Sequence, residues 1–174
     1  MLWSSRSSAA LGGLTLPVDW RKAAAWLLLA GFVQATVLHF AAVRGAVPSL
    51  VFLVVATYAV RAGVPAAILF GVAGGILEDA LAGNTGAAWT LATTVSALGI
   101  ALASRILFTD SVSIFAALVV VATLAREALY WSALSLEGYP VGLGAHYAKL
   151  AVASALYTGL AALAVAWARW RFKP

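Results

Sequence analysis

Long uncharged apolar runs are the feature of this 174-residue chain that most restricts its fold. The runs Ala23 to Val43 and Ala80 to Ser104 contain no charged side chain. Both exceed the roughly 20 apolar residues that a helix needs to cross a hydrocarbon layer about 30 Å thick. Transmembrane barrel strands instead alternate apolar and polar residues over about 10 positions. The pattern therefore predicts an all-α, polytopic membrane protein.

Composition excludes the other broad classes of protein. Charged residues make up 10% of the chain, against about 25% in a typical soluble domain, and so few charges cannot cover the surface of a soluble enzyme of this size. The 64% share of hydrophobic residues excludes intrinsic disorder. The absence of cysteine excludes a thiol nucleophile and any cysteine-ligated metal site.

Turn-forming residues divide the chain into six predicted helices that form one bundle. Gly63 and Pro65 separate the second helix from the third, and Gly83 begins the break that follows. The helices are predicted over residues 22–43, 46–61, 64–82, 87–107, 111–135 and 146–168. We expect a short cytoplasmic N-terminal arm over residues 1–21, followed by a six-helix transmembrane domain over residues 22–174. The apolar run after the arm is long enough to span a membrane, so the arm is not expected to be a cleaved signal.

Six spans place both chain ends on the same side, and the basic residues indicate which side that is. Arg44 and Lys149 fall on the opposite side. Eight basic residues fall on the side of the termini: Arg6, Arg21, Lys22, Arg61, Arg105, Arg169, Arg171 and Lys173. Because cytoplasmic loops are enriched in Lys and Arg, both termini are predicted to be cytoplasmic. This topology accounts for the net charge of +5. The lipid bilayer is therefore expected as a partner, and binding to nucleic acid is not expected.

Two pairs of adjacent charged residues lie inside the predicted spans, where each charge costs about 2.5–3.5 kcal/mol on insertion scales. They are Glu78 and Asp79 in the third helix and Arg126 and Glu127 in the fifth. Glu78 and Arg126 each lie 15 residues from the cytoplasmic start of their helix, about 22 Å along the axis. The matching depth, in the outer third of the bilayer, predicts an ion pair between Arg126 and one of the two acids.

Three interpretations of these charges remain open. The favoured one is a buried pair that fixes helix packing. The second is a cluster that lines an outward-facing cavity or the docking site of a partner. An ion relay has the least support, because the inner half of the membrane offers no further acids. Lys149 is a second possible partner for the acids, and His146 lies close to it in the chain.

The third helix also carries small residues on one face. Ala67, Gly71, Gly75 and Asp79 recur every four residues, so they lie along one stripe of the helix. A small-xxx-small pattern lets another helix approach closely. We expect a contact within the protein's own bundle more than a dimer interface.

The motifs of known enzyme classes are missing from the sequence. There is no Gly-x-Ser-x-Gly, no His-Glu-x-x-His and no glycine-rich phosphate loop with a lysine. The two histidines, His39 and His146, lie near the outer ends of different helices. Adjacent acids such as Glu78 and Asp79 point about 100° apart on a helix and make a poor catalytic pair. No catalytic residue, metal ligand or cofactor is predicted.

The second and third helices carry a recognisable pattern. Pro48 begins the second helix, Arg61-Ala62-Gly63 makes a short basic turn, and a glycine-rich segment follows. The matching positions of that segment are Gly75, Leu77, Asp79, Leu81, Gly83 and Gly86. Over residues 47–100 the chain resembles the MreD family of bacterial rod shape-determining proteins. Ala80 and Ala82 stand where Leu and Ser are more usual in that family.

The resemblance implies a non-catalytic subunit of the elongasome in the bacterial cytoplasmic membrane. Proteins of this kind act beside MreC, the actin-like MreB, RodA and a class B penicillin-binding protein, and help to direct lateral peptidoglycan synthesis. Their fold is similar to the S components of energy-coupling-factor transporters.

The expected mechanism is scaffolding by the third helix and its neighbours. Its small-residue face would receive the single membrane helix of MreC or pack a homo-oligomer, with Asp79 and Arg126 as the leading pair that holds the geometry. The candidate site residues are Gly71, Gly75, Glu78, Asp79, Gly83, Arg126 and Glu127.

The shared fold suggests an alternative function. An energy-coupling-factor S component binds a small substrate from outside, and the outer charges together with Trp89, Tyr130 and Trp131 would line its pocket. An accessory subunit of another membrane complex is a third possibility. The proteins that co-purify with the chain would discriminate among the three.

Overall fold

The described part of the chain is helical throughout and forms one bundle. The structure is a computed structural model that describes residues 19–37, 40, 42, 45–83, 86–107, 111–138 and 144–171. Its helices are α1 (Trp20–Thr36), α2 (Leu50–Ala82), α3 (Ala88–Ala103), α4 (Val112–Leu136) and α5 (Gly144–Arg171). Residues 1–18 of the predicted arm, together with His39 and Arg44, lie outside the described residues.

The chain reverses direction inside α2, at Gly63. This glycine has φ 75° and ψ −161°, a conformation that residues with a side chain rarely adopt. Pro65 follows in the first turn of the second segment, where its missing N–H is tolerated. The Tyr58 and Phe70 rings stack at 4.7 Å across the reversal. Helix α2 is therefore a hairpin of two segments, 50–62 and 64–82, and the predicted boundary at Gly63 is confirmed.

Successive helical segments pack side by side and run in opposite directions. Segment 64–82 packs most extensively against α3, and α4 packs against both α3 and α5. Buried residues from several helices fill the core, among them Phe52, Val55, Ile100 and Val119. Trp26 and Phe32 of α1 and Leu160 of α5 are more than half exposed, as expected of residues that face lipid. Large apolar side chains therefore lie on the outside of the bundle, whereas Glu78, Arg126 and Glu127 are buried inside it.

Three helical segments are shorter than the sequence predicts, since segment 50–62 begins at Leu50 rather than at residue 46 and two helices end early. Helix α1 ends at Thr36 rather than at residue 43, and α3 ends at Ala103, where a turn replaces the predicted last helical residues. Three helices are long and apolar enough to cross a membrane by length and composition: Leu50–Ala82, Val112–Leu136 and His146–Ala168. Ala88–Ala103 is apolar but shorter. Six full-length spans are therefore not confirmed by helix length.

The small-residue face of α2 lies inside the bundle, against α3. A β-carbon built on Gly71 would lie 2.7 Å from the Thr94 Cα, and one on Gly75 would lie closer still to the Thr90 Cα. Only glycine allows the two backbones to approach this closely. The expectation of a contact within the protein's own bundle is confirmed. Because α3 covers this face, the face presents no free surface to the membrane helix of MreC that is expected to bind there.

Candidate functional site

Arg126 of α4 lies at the centre of a buried ion-pair cluster, and only 2% of its surface is exposed. Its Nη1 donates to both carboxylate oxygens of Glu78, at 2.7 and 2.9 Å, and its Nη2 donates to Glu127 Oε1 at 3.0 Å. We call Arg126, Glu78 and Glu127 the Arg126 cluster. The predicted contact between Arg126 and an acid at matching depth is present, and its partner is Glu78.

Asp79 is not the partner of Arg126, contrary to expectation, but binds the start of α3. Its Oδ1 accepts from the Trp89 amide at 3.0 Å, and its Oδ2 accepts from the Thr90 amide at 2.9 Å and from the Thr90 hydroxyl at 2.6 Å. The N-cap residue of α3, Ala87, has no side-chain acceptor of its own. Asp79 therefore supplies the cap from the neighbouring helix, where a carboxylate also complements the helix dipole.

Ser49 and Thr93 complete the surroundings of Glu78, and sequence reasoning missed both. Ser49 is the N-cap of α2, and its hydroxyl donates to Glu78 Oε1 at 2.9 Å and accepts from Arg126 Nη1 at 3.0 Å. Thr93 of α3 donates to Glu78 Oε2 at 2.9 Å. Pro48-Ser49 before an apolar run is the signal for such a cap. Glu78 thus joins the two segments of α2 to α3 and α4.

Helix α5 joins the same network through hydroxyl groups. Tyr147 donates to Glu127 Oε2, and the Ser49 amide donates to the Thr158 hydroxyl at 3.0 Å. Sequence reasoning had named Lys149 and His146 as the nearby polar groups of this helix, but both are exposed. Glu127 itself is 7% exposed. Its side chain bends back to Arg126, although the two residues are adjacent on the helix.

Aromatic rings surround the guanidinium group. The Arg126 Cζ lies 4.6 Å from the centre of the Trp89 ring and 4.8 Å from that of Phe52. Trp89 stacks on Tyr130, and Trp131 stacks on Tyr147. A cation over an aromatic face is stabilised by the ring quadrupole, more strongly where water is excluded. The rings therefore hold Arg126 in place in a second way, beside its ion pairs.

A half-open cavity of about 550 Å³ lies directly over the Arg126 cluster. Loop residues 45–49, the end of α2, the second half of α4 and the first half of α5 surround it, with Gln34 of α1 at its side. Its lining side chains include Ser49, Leu81, Ala82, Trp89, Arg126, Glu127, Tyr130 and Tyr147. We call this space the Arg126 cavity. Its floor is charged and hydrogen-bonded, and its walls are largely aromatic and aliphatic.

Gly83 lies beside this cavity rather than in the cluster. It is the C-cap of α2 with φ 84°, and nothing lies within 4 Å of the position of a β-carbon. Its role is to let the chain turn after Ala82. Among the described residues, no group of three or more His, Cys, Asp and Glu side chains is arranged to hold a metal ion.

The cap that Asp79 provides predicts a measurable loss of stability. Asp79→Ala removes the acceptor of two amides and a hydroxyl, so we expect about 1–2 kcal/mol of destabilisation and a melting temperature lower by about 2–8 °C. Thermal unfolding of the protein in detergent measures it. Asp19→Ala is the matched control, because Asp19 caps α1 at an exposed site through the Lys22 amide. Equal melting temperatures for the two variants would contradict the role of Asp79.

Comparison with known proteins assigns the chain to a family. The sequence model described as rod shape-determining protein MreD matches residues 21–136, about two thirds of the chain. The match spans α1 to α4 and includes every candidate site residue. No curated protein and no solved structure matches the chain. The protein therefore belongs to the MreD family and is a rod shape-determining membrane protein.

Proposed function

We propose that this protein is a non-catalytic membrane scaffold of the elongasome that organises lateral peptidoglycan synthesis with MreC. Membership of the MreD family supports the role in cell shape. The arrangement of the charges supports a scaffold, since both oxygens of Glu78 are occupied by protein donors. A carboxylate bound in this way holds other groups in position and has little freedom to react. RodA, a class B penicillin-binding protein and MreB are expected in the wider complex.

The single observation that carries this proposal is the position of the Arg126 cluster under an open cavity. The cluster joins both segments of α2 to α3 and α4, and Tyr147 joins α5 to it. A partner that recognises a cavity requires walls of constant shape, because flexible walls add an ordering cost to binding. The network keeps the shape of the cavity constant, because hydrogen bonds from the surrounding helices converge on the Arg126 cluster.

We propose that MreC docks in the Arg126 cavity. The small-residue face of α2 is covered by α3, so it offers no surface to a second helix. The cavity is open, and Leu81 and Ala82 at its edge are both exposed. A membrane-embedded segment of MreC that enters from the side or from outside would contact these residues before it reached the charged floor.

The proposed location is the bacterial cytoplasmic membrane, with six crossing segments, both termini in the cytoplasm and the Arg126 cavity facing outward. The alternating directions of α1, the two segments of α2 and α3 to α5 support this count. Segment 50–62 has 13 residues and is about 20 Å long, shorter than the hydrocarbon layer of about 30 Å. Ser49 at its outer end would then lie below the outer surface, at the depth predicted for Arg126. The floor of the cavity is therefore recessed.

Co-purification tests the proposed function. A C-terminally tagged protein extracted from its native host in mild detergent is expected to bring MreC, with RodA or a penicillin-binding protein. Recovery of ATP-binding cassette subunits and their coupling protein would instead identify the chain as an energy-coupling-factor S component. The similarity of its fold to that class stays a prediction.

A filled cavity tests the docking site. Ala82→Trp places a large side chain at the edge of the Arg126 cavity, and we expect recovery of MreC to fall at least about tenfold, which corresponds to about 1.4 kcal/mol. Leu136→Trp is the matched control, since Leu136 is 90% exposed and does not line the cavity. If both variants recover as much MreC as the unmodified protein, MreC binds elsewhere.

A further inference from the structure

The floor of the Arg126 cavity carries more negative than positive charge. Glu78 and Glu127 bring two formal negative charges, and Arg126 brings one positive charge. No other charged side chain is found among the described residues that line the cavity. All three charged residues are at most 7% exposed, so water screens the excess negative charge poorly. The cavity is therefore suited to a positively charged occupant.

The hydrogen bonds indicate where such an occupant would bind. Each oxygen of Glu78 accepts two hydrogen bonds. Each oxygen of Glu127 accepts one from the described residues, from Arg126 and Tyr147 respectively. A carboxylate oxygen has room for about two donors. Glu127 therefore keeps acceptor capacity that Glu78 does not have.

Arg126 has a complementary need. Its Nε–H is buried and has no hydrogen-bond partner among the described residues, although buried donors are nearly always satisfied. Arg126 lines the cavity, so an occupant that displaces the groups covering this nitrogen and brings an acceptor oxygen would satisfy the donor. The site thus combines a free acceptor on an acid with an unpaired donor on a base.

The walls favour the same kind of occupant. Trp89, Tyr130 and Tyr147 line the cavity, and aromatic faces attract cations. A volume of about 550 Å³ is within the range of small-ligand pockets. It is large enough for one long side chain together with the main chain that carries it.

We propose that the Arg126 cavity binds a positively charged nitrogen at Glu127, next to an oxygen acceptor at Arg126, and that a basic residue of a docked polypeptide supplies both groups. The side-chain nitrogen would meet Glu127, and the carbonyl oxygen of the same segment would meet the Arg126 Nε–H. This inference rests on the proposed docking function and names the chemistry of the occupant. A free amine of the cell is the other possible source of the same chemistry.

The electrostatic part is tested by thiol modification, for which the chain is suited because it has no native cysteine. Ala82→Cys places a thiol at the cavity, and Leu136→Cys places one outside it at the same end of the bundle. The purified protein is treated with a cationic aminoethyl and an anionic sulfonatoethyl methanethiosulfonate. We expect the ratio of the cationic to the anionic modification rate to be about tenfold higher at Ala82→Cys than at Leu136→Cys. Equal ratios would overturn the proposal.

Variants of Glu127 assign the effect to this residue. Adding Glu127→Gln to Ala82→Cys is expected to abolish the excess of the cationic over the anionic modification rate. Adding Glu127→Asp instead, which keeps the negative charge, is expected to retain this excess. An excess that survives Glu127→Gln would overturn the role of Glu127. If Glu127→Gln does not fold, the comparison of Ala82→Cys with Leu136→Cys still decides whether the cavity attracts cations.

Protection experiments distinguish the source of the positive charge. Co-expressed MreC is expected to slow modification of the Ala82→Cys thiol at least about fivefold, whereas spermidine added to the isolated protein is expected not to. Protection by spermidine alone would overturn the polypeptide source, and protection by neither would overturn the proposal. Capture of MreC without a cation excess would refute this inference and leave the proposed function standing. A cation excess without capture of MreC would contradict the proposed docking and the polypeptide source, and would leave only the preference of the cavity for cations.

Discussion

Replacement of Arg126 by methionine is expected to be the most destabilising single change at the site. It leaves Glu78 and Glu127 buried together without a counter-charge, and removal of one partner from a buried pair typically costs about 3–5 kcal/mol. The loss also removes the cation from the Trp89 and Phe52 rings. We expect Arg126→Met to melt about 10 °C or more below the unmodified protein, or to yield little monodisperse protein in detergent.

Two further variants separate the buried charge from a general effect of losing a cation. Lys149→Met removes an exposed positive charge on α5 and is expected to leave the melting temperature within about 2 °C, since exposed charges contribute little. Glu78→Gln added to Arg126→Met removes one of the two stranded carboxylates and is expected to recover part of the lost stability. A melting temperature for Arg126→Met equal to that of Lys149→Met would contradict the structural role of the cluster.

The ion pair was predictable from the sequence because depth along a helix can be counted. Glu78 and Arg126 lie equally far from the starts of their helices, and they meet. The identity of the acid that meets Arg126 is encoded as well, in the glycines that precede the two acids. Asp79 lies four residues after Gly75 and shares its face, which α3 covers. Asp79 is therefore directed at α3, and Glu78 is left for Arg126.

Glu78 shares a face with Gly74 in the same way. The position of a β-carbon on Gly74 lies 2.7 Å from Val55 Cγ2 of segment 50–62, and Glu78 binds Ser49 at the start of that segment. Each glycine and the acid four residues after it therefore face the same neighbouring segment. The two glycine faces thus indicate that Asp79 faces α3 and that Glu78 faces segment 50–62, but they do not by themselves indicate the contacts of Glu78 with Thr93 and Arg126.

Other parts of the site could not be derived in this manner. Tyr147 and Thr158 bind the cluster from α5, and the Ser49–Thr158 contact joins residues 109 positions apart. No local pattern specifies such a pairing, because it depends on the rotation of α5 about its own axis. The early end of α1 was also missed, since apolar length alone does not determine where a helix stops.

Alanine at Gly75 is expected to have the second large effect, through the crossing of α2 and α3. The new β-carbon would collide with the Thr90 backbone, which cannot move without moving α3. The displacement would also pull the Trp89 and Thr90 amides away from Asp79. Overpacking of this kind costs about 1–3 kcal/mol, and the lost cap adds to it. We expect a melting temperature lower by about 5 °C or more.

A series of glycine variants tests whether the close crossing is the cause. Gly99→Ala lies on α3 with nothing within 4 Å of the new β-carbon, so we expect unchanged or slightly raised stability, because alanine is the better helix former. Gly74→Ala meets the Val55 side chain, which can adjust, and its melting temperature should fall between the other two. The order Gly99→Ala, Gly74→Ala, Gly75→Ala follows from how far each neighbour can yield. A Gly75→Ala protein as stable as Gly99→Ala would mean that the two backbones do not approach as closely as the structure shows.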